Sequence, residues 1–555
     1  MEFDAVLIAP RRALSIARGW WRDVTINDLL DKCVAAHPDK VALTAVQSDV
    51  GTQRTFTYRE LAALADRAAV GLARLGVGRG DVVACQLPNG WEFVVTYLAC
   101  SRIGAVMNPL MHIFRQRELS FMLRHGEARV LIVPHRFRGF DYPEMVAGMR
   151  ADLPALQHVI VVGGQGADSF QALLAGPEWE REPDAERILT QSRPGPDDVT
   201  QLMYTSGTTG EPKGVMHTAN TCLSNIAAYA ERLRLGSDDV VLMGSPMAHQ
   251  TGFMYGLMMP FYLGASAVTL DIWNAEKAVA LMRELGVTFS MASTPFLTDI
   301  ARQVAQSGLT VPTLRVFLCA GAPIPGPLVE QATRALGAKI ISAWGMTENG
   351  AVTLTLLDDD DTRACTTDGK PLPGVEIKVR DASGATLPAG VEGQLWLRSC
   401  SNFGGYLKRP QLNATDADGW FDTGDMARID ADGYLRITGR SKDVIIRGGE
   451  NIPVVEIESL LYRHPAVEMA AIAAYPDARL GERACAVVTL KPGQALSLQD
   501  LVQFLKGFGV TRQYIPERLE VLDQLPTTPT GKVQKFKLRE MLSASLGEGQ
   551  GGTPG

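Results

Sequence analysis

Short apolar runs of four or five residues recur along the first 440 positions, separated by stretches in which apolar positions return every three or four residues. These two periods predict strands and helices in alternation. Val82 to Gln86 reads as a strand, and the helical Trp91 to Arg102 follows it. Arg129 to Val133, Val159 to Val162, Val240 to Gly244, Thr288 to Ala292 and Arg315 to Leu318 continue the strands. Phe296 to Ser307 has helical spacing, and Pro295 marks its start. The alternation predicts an α/β fold with mostly parallel sheets.

The pattern changes near residue 441. A charged, strand-rich start leads to the helix-like Val455 to His464, the strands Ala470 to Ala474 and Ala484 to Leu490, and the helical Leu498 to Phe508. This predicts a large, multi-subdomain N-terminal domain over 1–440 and a small α+β domain over 441–545, with a hinge around Arg440 to Asp443. The Gly-rich tail, 546–555, is expected to be disordered. One stretch, Phe253 to Leu270, is uncharged for eighteen residues. It holds Gly256, Pro260 and Gly264 and ends in the β-branched Ser266 to Leu270, so a buried helix and a strand are expected, not a membrane span.

Composition narrows the partners. The 555 residues are 46% hydrophobic and 21% charged, with a formal net charge of −7. No clustered Lys/Arg run is present, so no nucleic-acid-binding surface is expected. Eight cysteines without CxxC or zinc-like spacing are expected to be buried thiols of a reduced, soluble, cytoplasmic protein. The apolar start, Ala5 to Ala9, is too short for a signal-peptide core and is followed by Arg11 and Arg12.

The strongest local signal is Tyr204-Thr-Ser-Gly-Thr-Thr-Gly-Glu-Pro-Lys-Gly214, directly after the strand-like Val199 to Met203. Its glycines let backbone N–H groups approach an anion closely. Thr205, Ser206, Thr208 and Thr209 add hydroxyls, and Lys213 adds positive charge. The segment is built to hold a polyphosphate, although the spacing is not that of a Walker loop.

With this loop the sequence resembles the adenylate-forming (AMP-binding) superfamily, over about residues 25 to 543, and within it the acyl-CoA synthetases. The resemblance implies roles for further motifs. In Ser342-Ala-Trp-Gly-Met-Thr-Glu348, Thr347 would contact ATP phosphates and Glu348 would bind Mg²⁺, with Trp344, Gly345 and Met346 beside the nucleotide. The family commonly has Tyr at Trp344, a departure expected to narrow the acyl pocket or alter stacking on adenine. Gly321, Ala322 and Pro323, in the turn after Cys319, would lie against adenine. Asp425 would accept the ribose hydroxyls, with Ile437 nearby and Arg440 as a second ribose or phosphate contact. Lys442 would be the pivot of the hinge, and Gly448 and Gly449 would line the path of the pantetheine thiol. Lys532, in Pro526-Thr-Thr-Pro-Thr-Gly-Lys532, matches the family's catalytic lysine, and Lys535 and Lys537 are read as solvated neighbours. His249 would border the acyl pocket; no role is assigned to the other seven histidines.

The implied reaction joins a carboxylic acid to a thiol. Acid and ATP give acyl-AMP and pyrophosphate; the small domain then rotates, and coenzyme A displaces AMP. Gln250 to Phe253 and Ala292 to Thr294 provide a small, weakly polar pocket with no Asp for an amino group. An apolar medium-size or alicyclic acid is expected, the pattern being most like short- and medium-chain fatty-acid and cyclohexanecarboxylate ligases. Two alternatives stand beside this: loading of a separate acyl carrier protein, and specialisation for the thioester-forming half alone. A homodimer is a further candidate assembly.

Overall fold

The computed structural model describes residues 1, 3–205, 211–321, 324–441, 445–447, 450–477, 480–510, 512–528 and 531–548. Among them, two large sheets dominate. The first has nine strands, in the order Lys370–Pro371, Gly350–Leu354, Lys339–Met346, Val316–Ala320, Phe289–Ala292, Val240–Met243, Ser266–Leu270, Val41–Gln47 and Thr52–Thr57. It is parallel from Lys339–Met346 to Val41–Gln47 and antiparallel at both edges.

The second sheet has seven strands, in the order Gly405–Tyr406, Lys213–Thr218, Val199–Thr205, Val106–Pro109, Val82–Cys85, Ala128–Pro134 and His158–Val162. It is parallel from Val199–Thr205 onward, and Lys213–Thr218 and Gly405–Tyr406 add antiparallel strands at one edge. Strands covered on both faces read as continuous apolar runs. Val82–Cys85 and Phe289–Ala292 are buried at every position, which is why their sequences announce them.

The largest core lies between these sheets. Tyr58–Arg74, Trp91–Arg102 and Ala219–Arg232 pack there, and Val83 and Met107 of one sheet share a cluster with Met243 and Phe289 of the other. Separate clusters cover the outer faces. Next comes a four-stranded antiparallel sheet, Val375–Arg380, Gly393–Ser399, Phe421–Ile429 and Leu435–Arg440.

The C-terminal part forms its own sheet. Glu450–Ile452, Ile445–Arg447, Gly481–Leu490 and Val467–Asp477 pair antiparallel, and Arg518–Val521 joins Gly481–Leu490 in parallel. Val454–Leu461 and Leu498–Gly507 pack on one face, and Lys535–Glu548 packs on the other through Leu538 and Leu542.

One expectation is met with a different winding, and one changes. The chain after His249 is wound as a π-helix, Gly252–Met258, before a short α-helix, Met259–Leu263, and the strand Ser266–Leu270. Small residues make that winding possible, because a Cβ on Gly252 would lie 2.2 Å from the Pro246 carbonyl oxygen. At the C-terminus, Lys535–Glu548 extends three residues into the stretch expected to be irregular; the remainder, 549–555, lies outside the described residues. Seven of the eight free cysteines are buried, and Cys365 is half-buried. Among the described residues, no helix is long and apolar enough to cross a membrane.

Candidate active site

The phosphate side begins where Val199–Thr205 ends. Thr205 pairs across to Lys213, the first residue of the returning strand, so both stand at the mouth of one hairpin. Ser206, Gly207, Thr208, Thr209 and Gly210 lie outside the described residues. Thr205 Oγ1 is buried with no hydrogen-bond partner among the described residues, a polar atom placed for a ligand to satisfy. The Lys213 ammonium donates to the Tyr406 hydroxyl at 2.9 Å and lies 4.2 Å from the centre of that ring. The same hydroxyl donates to Glu348 Oε1 at 2.6 Å. The sequence reading did not single out Tyr406.

Trp344 to Glu348 closes the end of Lys339–Met346. Gly345 is required by close approach, since a Cβ there would fall 1.9 Å from the Gly350 carbonyl oxygen. Three carbonyls in a row are then held. His217 Nε2 donates to Thr347 O at 2.7 Å, Phe403 N to Glu348 O at 2.7 Å, and Ser401 Oγ to Asn349 O at 2.8 Å. Behind them, Arg11 donates to the carbonyls of Leu7, Ser399 and Phe403 at 2.7, 3.1 and 2.8 Å. Desolvation lowers the Arg11 pKa to about 10. A guanidinium with three backbone acceptors explains why a charge is tolerated there.

Among the seven histidines without an assigned role, His217 therefore acts on the site. Burial lowers its pKa to about 4, with the Thr347 carbonyl pulling upward and Arg11 downward. The folded value lies below the unfolded 6.5, so the unfolded chain binds more protons between these values. Stability from this group is complete above pH 6.5 and lost as pH falls toward 4, at about 1.4 kcal/mol per pH unit. His217→Gln, which keeps an N–H donor, is expected to show a shallower fall in thermal midpoint between pH 6.5 and 5, measured by stepwise thermal denaturation.

On the nucleoside side, Asp425 is buried and both its oxygens are engaged. Arg440 Nε is 2.7 Å from Oδ1, and the Trp344 indole N–H donates to Oδ2 at 3.1 Å. Burial pushes the Asp425 carboxyl above its usual range, with Arg440 and Lys532 pulling it back. Trp344 thus supplies an N–H that aims the carboxylate. Ile437 and Trp344 pack against the same small core, and the Ile437 N–H donates to Asp368 Oδ2 at 2.8 Å. Gly321 follows Val316–Ala320 with φ +93°, a left-handed turn that favours glycine. Trp344→Phe is expected to raise the KM for ATP about fivefold to tenfold, the worth of one hydrogen bond to a charged group. It should also weaken the preference for ATP over 2′-deoxy-ATP, and steady-state titration of both nucleotides checks this.

The acyl side is reached through Lys532. Its loop docks so closely that a Cβ on Gly531 would lie 2.7 Å from Pro295 and 3.5 Å from Ser293 Oγ. The Lys532 charge adds to the lowering of the His249 pKa and partly offsets the upward shift that burial gives Asp425. Burial, then Lys532, lowers the His249 pKa to about 4, so the imidazole is neutral near pH 7. Thr251 N–H lies 3.4 Å from its Nδ1. Next to it, Gln250 is buried; its Oε1 accepts from Gln201 Nε2 at 2.7 Å, and its own Nε2 has no partner among the described residues.

Lys535 corrects the reading of it as a solvated neighbour. It is half-buried and lies 2.7 Å from Glu458 Oε1, tying Lys535–Glu548 to Val454–Leu461. Ala322, Pro323, Lys442, Gly448 and Gly449 lie outside the described residues. Of the proposed site residues that are described, Lys213 and Glu348 meet through Tyr406, Asp425 joins Trp344 and Arg440, and the Lys532 loop docks against Pro295 and Ser293. Tyr406, His217, Arg11 and Gln201 are the contributors that the sequence reading missed.

The antiparallel pair Val199–Thr205 and Lys213–Thr218, the buried Asp425–Arg440 pair and Lys532 on the C-terminal part are the features to set beside known proteins. The AMP-binding enzyme family model matches residues 30–407 and the AMP-binding enzyme C-terminal domain model matches residues 456–532. The chain belongs to this family, in its acyl-CoA synthetase branch, the adenylate-forming acyl- and aryl-CoA ligases that use ATP and coenzyme A as substrates. It is 37% identical to the medium-chain fatty-acid–CoA ligase of Escherichia coli K12 over 97% of this chain and 94% of that one. It is 34% identical to a salicylyl-CoA synthase/salicylate adenylyltransferase of a Streptomyces species, over 94% and 95%. The crystal structure of an anthranilate CoA ligase with anthranoyl-AMP superposes with a TM-score of 0.84 at 27% identity, covering 95% and 98%.

Proposed function

We propose that this enzyme converts an apolar medium-size or alicyclic carboxylic acid to its coenzyme A thioester. The reading is supported by the docking of the Lys532 loop, where a Cβ on Gly531 would lie 2.7 Å from Pro295, with the Lys532 charge acting on both His249 and Asp425. In the first half-reaction the carboxylate oxygen attacks the α-phosphorus of ATP, and the bond to pyrophosphate breaks. Lys532 faces the oxygens on which charge builds, while the Thr205–Gly210 loop, Lys213 and Thr347 hold phosphate. Asp425 and Arg440 hold ribose, and Gly321 to Pro323 with Trp344 to Met346 receive adenine. In the second half the thiol attacks the acyl carbon and AMP leaves, with Gly448 and Gly449 along the thiol's path and Lys442 as the pivot.

Glu348 suits Mg²⁺, being a buried carboxylate with Oε1 fixed by Tyr406. No group of three His, Cys, Asp or Glu side chains forms a metal site among the described residues, so Glu348 would share the ion with substrate oxygens. Bound there, Mg²⁺ supplies neutralisation of pyrophosphate charge.

A second reading of the acid rests on Gln250. Its Nε2 is buried without a partner among the described residues, in the segment expected to line the pocket, and a buried donor is costly unless a ligand accepts from it. A hydroxyl-bearing aromatic acid would do so, and one relative is a salicylyl-CoA synthase. A panel of fatty, alicyclic and hydroxyaromatic acids separates these. Pyrophosphate release without coenzyme A and thioester formation from synthetic acyl-AMP are followed independently. Activity in both halves with one acid class supports the ligase; thioester formation only on a carrier protein overturns the acceptor assignment.

A further inference from the structure

Tyr406 stands where two charges of the nucleotide site meet. Its backbone and ring are fixed without help from its hydroxyl. Val215 pairs with Tyr406 across the strands Lys213–Thr218 and Gly405–Tyr406, and Tyr406 N–H donates to Asn413 Oδ1 at 2.9 Å. Leu407 N–H donates to Gly214 O at 2.8 Å, and the ring packs on Phe403 at 4.7 Å between centroids. The hydroxyl spends its bonding on function-side groups: it accepts from Lys213 at 2.9 Å and donates to Glu348 Oε1 at 2.6 Å. The order ammonium, phenol, carboxylate is a short polarised chain in which each bond strengthens the next.

We propose that Tyr406 is a positioning residue for the ATP-dependent half-reaction, holding Lys213 toward phosphate and Glu348 toward a divalent cation. This rests on the adenylating function given above. Without this hydroxyl, Lys213 would lose the phenol as an acceptor and Glu348 would lose it as a donor, and nothing would hold the two charges in this order. Outer partners of metal ligands typically contribute tenfold to hundredfold in metal affinity.

Tyr406→Phe retains the ring, its packing and its backbone pairing, and removes only the bridge. The half-saturating Mg²⁺ concentration for acid-dependent pyrophosphate release is expected to rise about tenfold. Thioester formation from synthetic acyl-AMP, which involves neither ATP nor pyrophosphate, should stay within about twofold, which also shows that the variant is folded. A readout independent of turnover is Mn²⁺ binding in the presence of ATP, followed by electron paramagnetic resonance, whose midpoint should move by the same factor. In a Glu348→Gln background, Tyr406→Phe should add less than about twofold, because the two residues act as one unit.

Unchanged Mg²⁺ and Mn²⁺ midpoints would overturn the proposal. So would an equal loss in both half-reactions, or full additivity with Glu348→Gln, each of which assigns Tyr406 a general structural role. If the wild-type enzyme released no pyrophosphate with any acid, the adenylating function would fall, and the Mn²⁺–ATP titration would still decide whether Tyr406 acts through Glu348.

Discussion

Lys532→Ala is expected to lower acid-dependent pyrophosphate release by about two to three orders of magnitude, the usual cost of one preorganised charge at a developing oxyanion. Conversion of supplied acyl-AMP to thioester should remain nearly intact. The asymmetry follows from placement. Lys532 sits on a loop carried by the C-terminal sheet, yet its charge is felt at both His249 and Asp425. On the proposed function, the ammonium in this arrangement would face the forming acyl–phosphate bond. In the thioester step no phosphorus is attacked, and the site needs access for a thiol in place of a cation. Single-turnover measurements of each half, at saturating acid and ATP or with synthetic acyl-AMP, check this. Equal losses in both halves would remove Lys532 from the adenylation step.

Gly345→Ala should behave differently, lowering both half-reactions together with thermal stability. The added methyl would meet the Gly350 carbonyl oxygen at 1.9 Å and the Ala351 Cα at 2.7 Å. Backbone cannot rotate aside as a flexible side chain does, so one strand must shift. Overpacking of this kind costs about 1–3 kcal/mol. Trp344 aims Asp425, while Thr347 and Glu348 follow within three residues, so the shift would disturb ribose, phosphate and cation contacts at once. The expectation is a loss of at least about tenfold in each half, since displacements near 1 Å can cost a hundredfold. A lower denaturation midpoint should accompany it. A variant with wild-type stability and activity would mean that the Gly345–Gly350 approach is not rigid.

Much of the architecture was legible because parallel strands buried on both faces leave unbroken apolar runs. Trp91–Arg102 begins and ends where its pattern predicted, and Phe289–Ala292 and Gly481–Leu490 fall within a few residues of expectation. The π-helix at Gly252–Met258 was not legible, because apolar spacing alone does not separate i→i+4 from i→i+5 winding. The candidate site was legible where its chemistry is local, as in the phosphate hairpin. It was hidden where partners come from afar. Tyr406 follows two glycines in an ordinary-looking turn, and nothing near it in sequence names Glu348 or Lys213. Arg11 and His217 act through backbone carbonyls, which carry no residue-type signal. Trp344 was noticed as a departure, but only its hydrogen bond to Asp425 gives that departure a role.

The Arg11 clamp also bears on how the enzyme is made. Arg11 meets the Phe403 carbonyl 392 residues later, and Phe403 in turn holds Glu348. At about 5–20 residues per second, a ribosome needs roughly 20 to 80 s to span that gap. Throughout that interval the guanidinium lacks two of its three acceptors, and the Glu348 segment lacks its lock. Loop closure over such a distance places these contacts among the slowest to form. The nascent chain thus carries the Val199–Thr205 and Lys213–Thr218 strand pair long before Phe403 can hold the Glu348 carbonyl.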